Sequence, residues 1–445
     1  MKYHKPCTTQ KSPQLPRFSV VMMILLVLLI TGFLTGCQPD QPPAPTEAEL
    51  VPSHTPLIPT DTSLPPTDVI TTPTHTEAPP PPKSSTPFVT ANTVISVRSG
   101  PGLTYAAYKL MLEGQTANLV GVSPDGEWWA LQVPGVPLEL GWVYGVNVHV
   151  TSSKEPQVIQ PPPVPPTLVF SFLSSESDSP YVRFRETVYA NSGPGNEYPA
   201  YGVIQQGQEA RAASKTEDGS WYQVVVPSNL VPTNQTWVPA QFVEIRRASM
   251  IYPGVPQPAP QKAAMPSPDA DSPPGYPMTP VYLRSGPGIE YPVYAAAPHS
   301  NPVAIVAFSP NREWLLVRVP STVSMDETAW MAAPFVYTDE VGDLEIFEPS
   351  PLPVEIPGFE PGSGDSWARP LENIFVFTGP GNTYASPGYL PANQKAVLSG
   401  ISREGDWLIV RVPKTVIESG HGWVRADLVE TLIQSSLPVI EPPPK

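Results

Sequence analysis

The chain has 445 residues, 65 of them proline, and a net charge of −15. Proline at about three times its usual share of roughly 5% argues against one continuous globular domain, because it is kept out of helix interiors and central strands. The acidic balance argues against a nucleic-acid partner, which needs a basic footprint, and two cysteines, Cys7 and Cys37, exclude a disulfide framework.

Residues 1–17 are basic, with Lys2, Lys5, Lys11 and Arg17, and residues 18–30 are almost wholly apolar. Leu34-Thr35-Gly36-Cys37 follows. A basic segment, an apolar segment and small residues before a cut site read as a secretory signal over 1–36. The four residues resemble the lipobox of bacterial lipoproteins, which implies a lipid on Cys37, cleavage after Gly36 and a membrane anchor through that lipid. The alternative is an uncleaved span, for which the apolar run is at the short limit. Either reading places the rest of the chain outside the cytoplasm, on the outer face of the cytoplasmic membrane or on an outer membrane. Residues 37–90 then form a Pro/Thr-rich tether. Its residues 38–90 hold 15 prolines and 11 threonines. Such a composition cannot offset chain entropy by burial and is expected to be disordered, reaching on the order of 160 Å if fully extended.

The remainder is a fourfold repeat. Gly-Pro-Gly begins at Gly100, Gly193, Gly286 and Gly379, at steps of 93 residues. Tyr105, Tyr198, Tyr291 and Tyr384 keep the same step, as do Trp128, Trp221, Trp314 and Trp407. A second tryptophan stands at Trp142, Trp237, Trp330 and Trp423. Internal repeats decide architecture before any other signal. Four proline-poor domains are expected at 91–150, 181–246, 278–340 and 371–431. Disordered Pro-rich linkers at 151–180, 247–277 and 341–370 separate them, and a tail covers 432–445. Spaced in this way, the units read as separate beads rather than as a stacked solenoid, whose repeats must touch.

Within the first unit, a β-prone run over 93–99 ends at Gly100-Pro101-Gly102. Further short strands are predicted over 116–122, from Trp128 to Val133 and around Gly141-Trp142-Val143. The turns between them fall at Glu113-Gly114 and Asp125-Gly126. No helical periodicity is sustained. Several short strands in under about 60 residues predict an all-β fold, a small antiparallel barrel or sandwich that limits free edges. Trp128 and its counterparts read as core. Trp142, Trp237, Trp330 and Trp423 fit either core or the wall of a groove.

These residues resemble the bacterial SH3 domain family: VRSGPG at 97–102, EGQ at 113–115, DGEWW at 125–129 and GWV at 141–143, with matching fragments in the fourth unit. The resemblance covers roughly half the chain. It implies four SH3-like β-barrels and an extracytoplasmic binding or targeting role, often on cell-wall peptide or glycan. The pattern's arginine reads Arg98, Asn191, Arg284 and Phe377 along the four units and is expected at an outward, solvated strand position.

No catalytic motif recurs. The six histidines do not follow the 93-residue step, so no repeat-borne metal site is expected, nor any cofactor or enzymatic activity. The candidate ligand groove is aromatic: Tyr105 and Tyr108, Tyr198 and Tyr201, Tyr291 and Tyr294, and Tyr384, where Pro387 replaces the second tyrosine. Tyrosine suits shallow recognition of sugar or extended peptide, though the same rings could pack the loop onto the fold. Four weak sites on one tether would gain avidity. The leading expectation is a lipid-anchored multivalent binder of peptidoglycan or another envelope polymer. The alternatives are a surface stalk without a ligand, and binding of Pro-rich segments. The oligomeric state stays open.

Overall fold

The computed structural model describes residues 86–172, 178–256, 258–299, 301–338 and 344–444. By its contacts the chain divides into two units, Met1–Pro79 and Pro80–Lys445, and every described residue belongs to the second. The expected signal, the lipidation site Cys37 and nearly all of the tether lie outside the described residues. No helix among the described residues is long and apolar enough to cross a membrane.

The described chain is all-β, with antiparallel sheets that repeat at the sequence period. In the first repeat the strands are β1 (Phe88–Ala91), β2 (Ile95–Arg98), β3 (Ala107–Met111), β4 (Thr116–Val122), β5 (Trp128–Gln132), β6 (Leu140–Tyr144) and β7 (Val148–Thr151). They lie in the order β3-β2-β6-β5-β4-β1-β7, and the second and third repeats keep the corresponding order. A bulge in β4 shifts the register between Leu119 and Gly121 and recurs in the other three repeats. An extra residue there bends the strand sharply, so its first half pairs with β1 and its second with β5. The sheet curls without closing, because β3 and β7 end the order and do not pair. The expected barrels are therefore open curled sheets.

Most of β1, and all of its counterparts Pro274–Pro277 and Trp367–Pro370, lie in segments that composition assigns to tether or linker. Turn chemistry matches the sequence better. Gly114, Gly207 and Asn393 have φ of 77°, 86° and 68°, values that glycine and asparagine tolerate. The tight turn before β5 is held by a hydroxyl that accepts from the tryptophan amide, Ser123 Oγ to Trp128 N at 3.0 Å. Thr216, Ser309 and Ser402 do the same in the other repeats. Arg312 occupies this turn's left-handed position at φ 58°, with its guanidinium over the Phe308 ring.

In the first, third and fourth repeats both faces of the sheet are covered. In the first repeat Val97, Leu119, Leu131 and Val143 build one core. Trp128, Ala130 and Trp142 lie on the other face, as the period of two along β5 and β6 requires. The connector Ile159 covers that second face.

The described parts of the Pro-rich connectors run as straps bridged to the sheets, where composition led to an expectation of disorder. After β7 the chain returns to bridge Val122 in parallel: Val122 N donates to Gln157 O and Ile159 N to Val122 O. Parallel bridges Lys215–Pro253, Phe308–Ile346 and Ile401–Val439 repeat this contact. The strap then crosses to the following repeat, where Thr167, Lys262 and Glu355 bridge Val203, Ala296 and Tyr389. Proline has no N–H, but its carbonyl still accepts. The donors in the first strap are Ile159 and Leu168, while Pro162 and Pro166 accept. Composition also hid the straps' anchors, since Leu168, Ala263 and Ile356 are buried.

The repeats touch, contrary to the beads expected. Ala107 N donates to Thr187 O and Val293 N to Asn373 O, both at 2.8 Å. A parallel pairing of Val293 with Ile374 joins the third repeat's sheet to a hairpin of the fourth. Contacts also reach the next repeat but one: Tyr108 Oη donates to Met278 O at 3.2 Å, and Asn393 Nδ2 donates to Pro232 O.

Candidate functional site

The expected groove tyrosines divide into two sets with different internal partners. Tyr105, Tyr198, Tyr291 and Tyr384 follow the Gly-Pro-Gly loop, and each ring lies flat on the first glycine. A Cβ at Gly100, Gly193, Gly286 or Gly379 would come within 2.1–2.4 Å of that ring's carbons, which is the physical reason for a glycine five residues before each tyrosine. The hydroxyls hold the straps. Tyr105 Oη donates to Pro162 O at 2.6 Å, Tyr291 Oη to Ser350 O at 3.1 Å and Tyr384 Oη to Pro443 O at 3.0 Å.

The second set joins successive repeats. Tyr108 meets Tyr189, Tyr201 meets Tyr282 and Tyr294 meets Phe375, with ring centroids 6.2, 6.3 and 5.0 Å apart. Each pair spans 81 residues, so one contact recurs at three junctions. Burial pushes the Tyr108 and Tyr201 hydroxyls well above their ordinary value; Tyr189 beside the first and Glu372 beside the second add to the effect. Burial likewise raises Tyr189, to about 12.

Trp142, Trp237, Trp330 and Trp423 are buried, from 0% to 5% exposed, so they form core rather than a groove wall. The arginine position also departs from expectation. Arg98 and Arg284 are 4% and 3% exposed. Arg284 Nη1 donates to Tyr291 O at 3.0 Å and its Nη2 to Glu372 of the next repeat at 2.7 Å. Arg98 likewise donates to Tyr105 O and pairs with Glu186. At the junction between them Asn191 replaces the arginine and Thr279 replaces the glutamate. The charges are therefore present together or absent together.

Among the described residues an aromatic-lined cavity of about 520 Å³ stands open at the junction of the third and fourth repeats. Tyr294, Phe375, Phe377 and Trp407 line it, with Asn382 and Arg425 among its polar groups. Arg425 holds Asp427 through two hydrogen bonds of 2.9 and 2.6 Å and donates a third to Tyr294 O at 3.1 Å. Of the expected groove residues only Tyr294 lines this space. Neither Phe375 nor Phe377 follows the tyrosine series that marks the expected groove, although Phe377 is visible in the sequence as the residue that breaks the arginine series.

No protein-family model matches the chain, and no curated protein matches it. The site therefore rests on its own chemistry. Among the described residues no cluster of three or more His, Cys, Asp or Glu side chains could hold a metal ion. The recurring chemistry is phenol to carbonyl, ring to ring and guanidinium to carboxylate, all within the chain.

The buried phenols make stability fall at alkaline pH. Below pH 10 both the folded and the unfolded chain keep these hydroxyls protonated. Above it the unfolded chain ionises near 10 while Tyr189 holds its proton to about 12, so the unfolded state releases protons first and stability falls. Tyrosinate absorbance is expected to rise together with loss of tertiary structure between pH 10 and 12. Free titration of every tyrosine near pH 10 with the fold intact would contradict this.

Proposed function

We propose that the chain is a lipid-anchored, non-enzymatic envelope scaffold, built from four SH3-like units that are locked together instead of serving as four independent binding modules. The observation that carries this reading is the use of the aromatic side chains. The residues that could have gripped a sugar or a peptide hold the chain's own straps and neighbouring repeats. Recognition of Pro-rich segments is, in this reading, intramolecular, with the connector as the ligand of its own repeat. Cys37 supplies the membrane attachment, and the tether carries the repeats away from the bilayer. Envelope polymer would find no four-fold row of exposed tyrosines. Avidity from repeated weak sites therefore loses its basis.

Co-sedimentation of the detergent-solubilised full chain with purified bacterial sacculi tests the reading. The scaffold predicts only background pelleting, unchanged by Tyr105→Phe, Tyr198→Phe, Tyr291→Phe and Tyr384→Phe together. Saturable pelleting that these substitutions abolish would overturn it in favour of a multivalent wall binder.

A further inference from the structure

We infer that the open cavity on the fourth repeat is a vacant docking site for the first repeat of a second copy of this chain. The inference goes beyond the scaffold reading and rests on comparing one location along the stack. Between the first and second repeats, Tyr108, Tyr189, Asn191 and Asn196 line a space whose other wall is Met278, Thr279 and Pro280 of the third repeat. Only about 170 Å³ is left there. The corresponding residues between the third and fourth repeats are Tyr294, Phe375, Phe377 and Asn382, two periods on, and the space there is about 520 Å³. Around Tyr282, at the junction of the second and third repeats, Leu371 and Glu372 of the fourth leave about 10 Å³. The segment that enters the second strand of a repeat thus fills the junction two repeats back.

The first repeat presents that same segment, and among the described residues no earlier junction receives it. Asn92, Thr93 and Val94 correspond to Met278, Thr279 and Pro280, and all three are exposed, Val94 at 53%. The two faces match in polarity. Phe377 replaces the arginine on the acceptor and Thr93 replaces the glutamate on the donor, so at these two facing positions closing the junction strands no charge. Pro387 and Ser96 stand where the inner junctions place their aromatic pair. A copy-to-copy junction is accordingly weaker than the covalent ones and reversible. The contact is head-to-tail, and a heterologous contact of this kind propagates into open chains unless it closes into a ring.

The test uses detergent-solubilised full-length chain. Its weight-average mass by sedimentation is expected to rise with protein concentration, and Val94→Asp, at an exposed position, is expected to keep it monomeric. In a second arm, chains with Cys7→Ser and Cys37→Ser carry either Val94→Cys or Asn382→Cys. Oxidising the mixture is expected to give about ten times the disulfide-linked product of either chain alone, the equivalent of about 1.4 kcal/mol. Phe377→Glu in the acceptor chain removes the excess. Mass independent of concentration, or equal cross-linking in the single-variant controls, overturns the inference. So does a cavity that instead takes an N-acetylglucosamine oligomer, read as quenching of Trp407 fluorescence that is lost in Trp407→Phe, with no association between copies.

Discussion

Glu372→Ala is expected to destabilise the protein by about 3–5 kcal/mol, the range for breaking a buried ion pair from one side. The side chains of Arg284 and Glu372 are 3% and 0% exposed, so the guanidinium left behind keeps its bonds to the Ile289 and Tyr291 carbonyls but has no counter-charge. The loss follows from stranding that charge more than from the pair's own strength. Replacing both partners together, as Arg284→Met with Glu372→Leu, is therefore expected to cost far less than either single change. The chain carries a version of that experiment, because Asn191 and Thr279 occupy the same two positions one junction earlier. Urea unfolding of the two single variants and the double variant checks this, and additive losses in the double variant would refute it. The same substitutions at Arg98 and Glu186 are expected to cost less, since the Glu186 side chain is 23% exposed and water screens what remains.

The repeats were legible in the sequence because period and turn chemistry are local. A glycine under a tyrosine ring, a hydroxyl at the turn before β5 and apolar alternation along β5 each leave a fixed spacing. The stacking was written there too, but in differences between repeats. The arginine series 98, 191, 284, 377 has to be read against the series Glu186, Thr279, Glu372, which pairs with it at a step of 88 residues. Either series alone looks like surface variation. The straps are hidden in the sequence for a different reason. Composition measures how much apolar surface a segment can bury, and by that measure residues 151–180 cannot form a core. They need only one anchor per contact, Ile159 on one repeat and Leu168 on the next, with proline carbonyls accepting between them. Proline also limits the freedom an unfolded strap would regain. Closure of the sheets was not legible, because strand number does not say whether β3 and β7 meet.

Tyr201→Ala is expected to cost about 3–5 kcal/mol, the range for removing a large buried aromatic, and to split unfolding into two transitions. Tyr201 packs with the cores of both the second and the fourth repeats and pairs with Tyr282 of the third. It also faces Leu371 and Arg369 across the junction between the second and fourth repeats. One ring thus couples three repeats. In a stack whose stability is a sum of repeat and interface terms, losing an inner interface separates the blocks on either side of it. The counterpart in the fourth repeat is Pro387, so the fold of a single unit does not require an aromatic there, and the loss belongs to the interfaces. Tyr201→Phe keeps the ring and gives up only the hydroxyl, for which about 1 kcal/mol is expected, with one transition preserved. Hydrogen exchange resolved along the chain distinguishes the outcomes. Early exposure of the third and fourth repeats in Tyr201→Ala supports coupling through this ring, and uniform exposure of all four would show that the straps alone carry it.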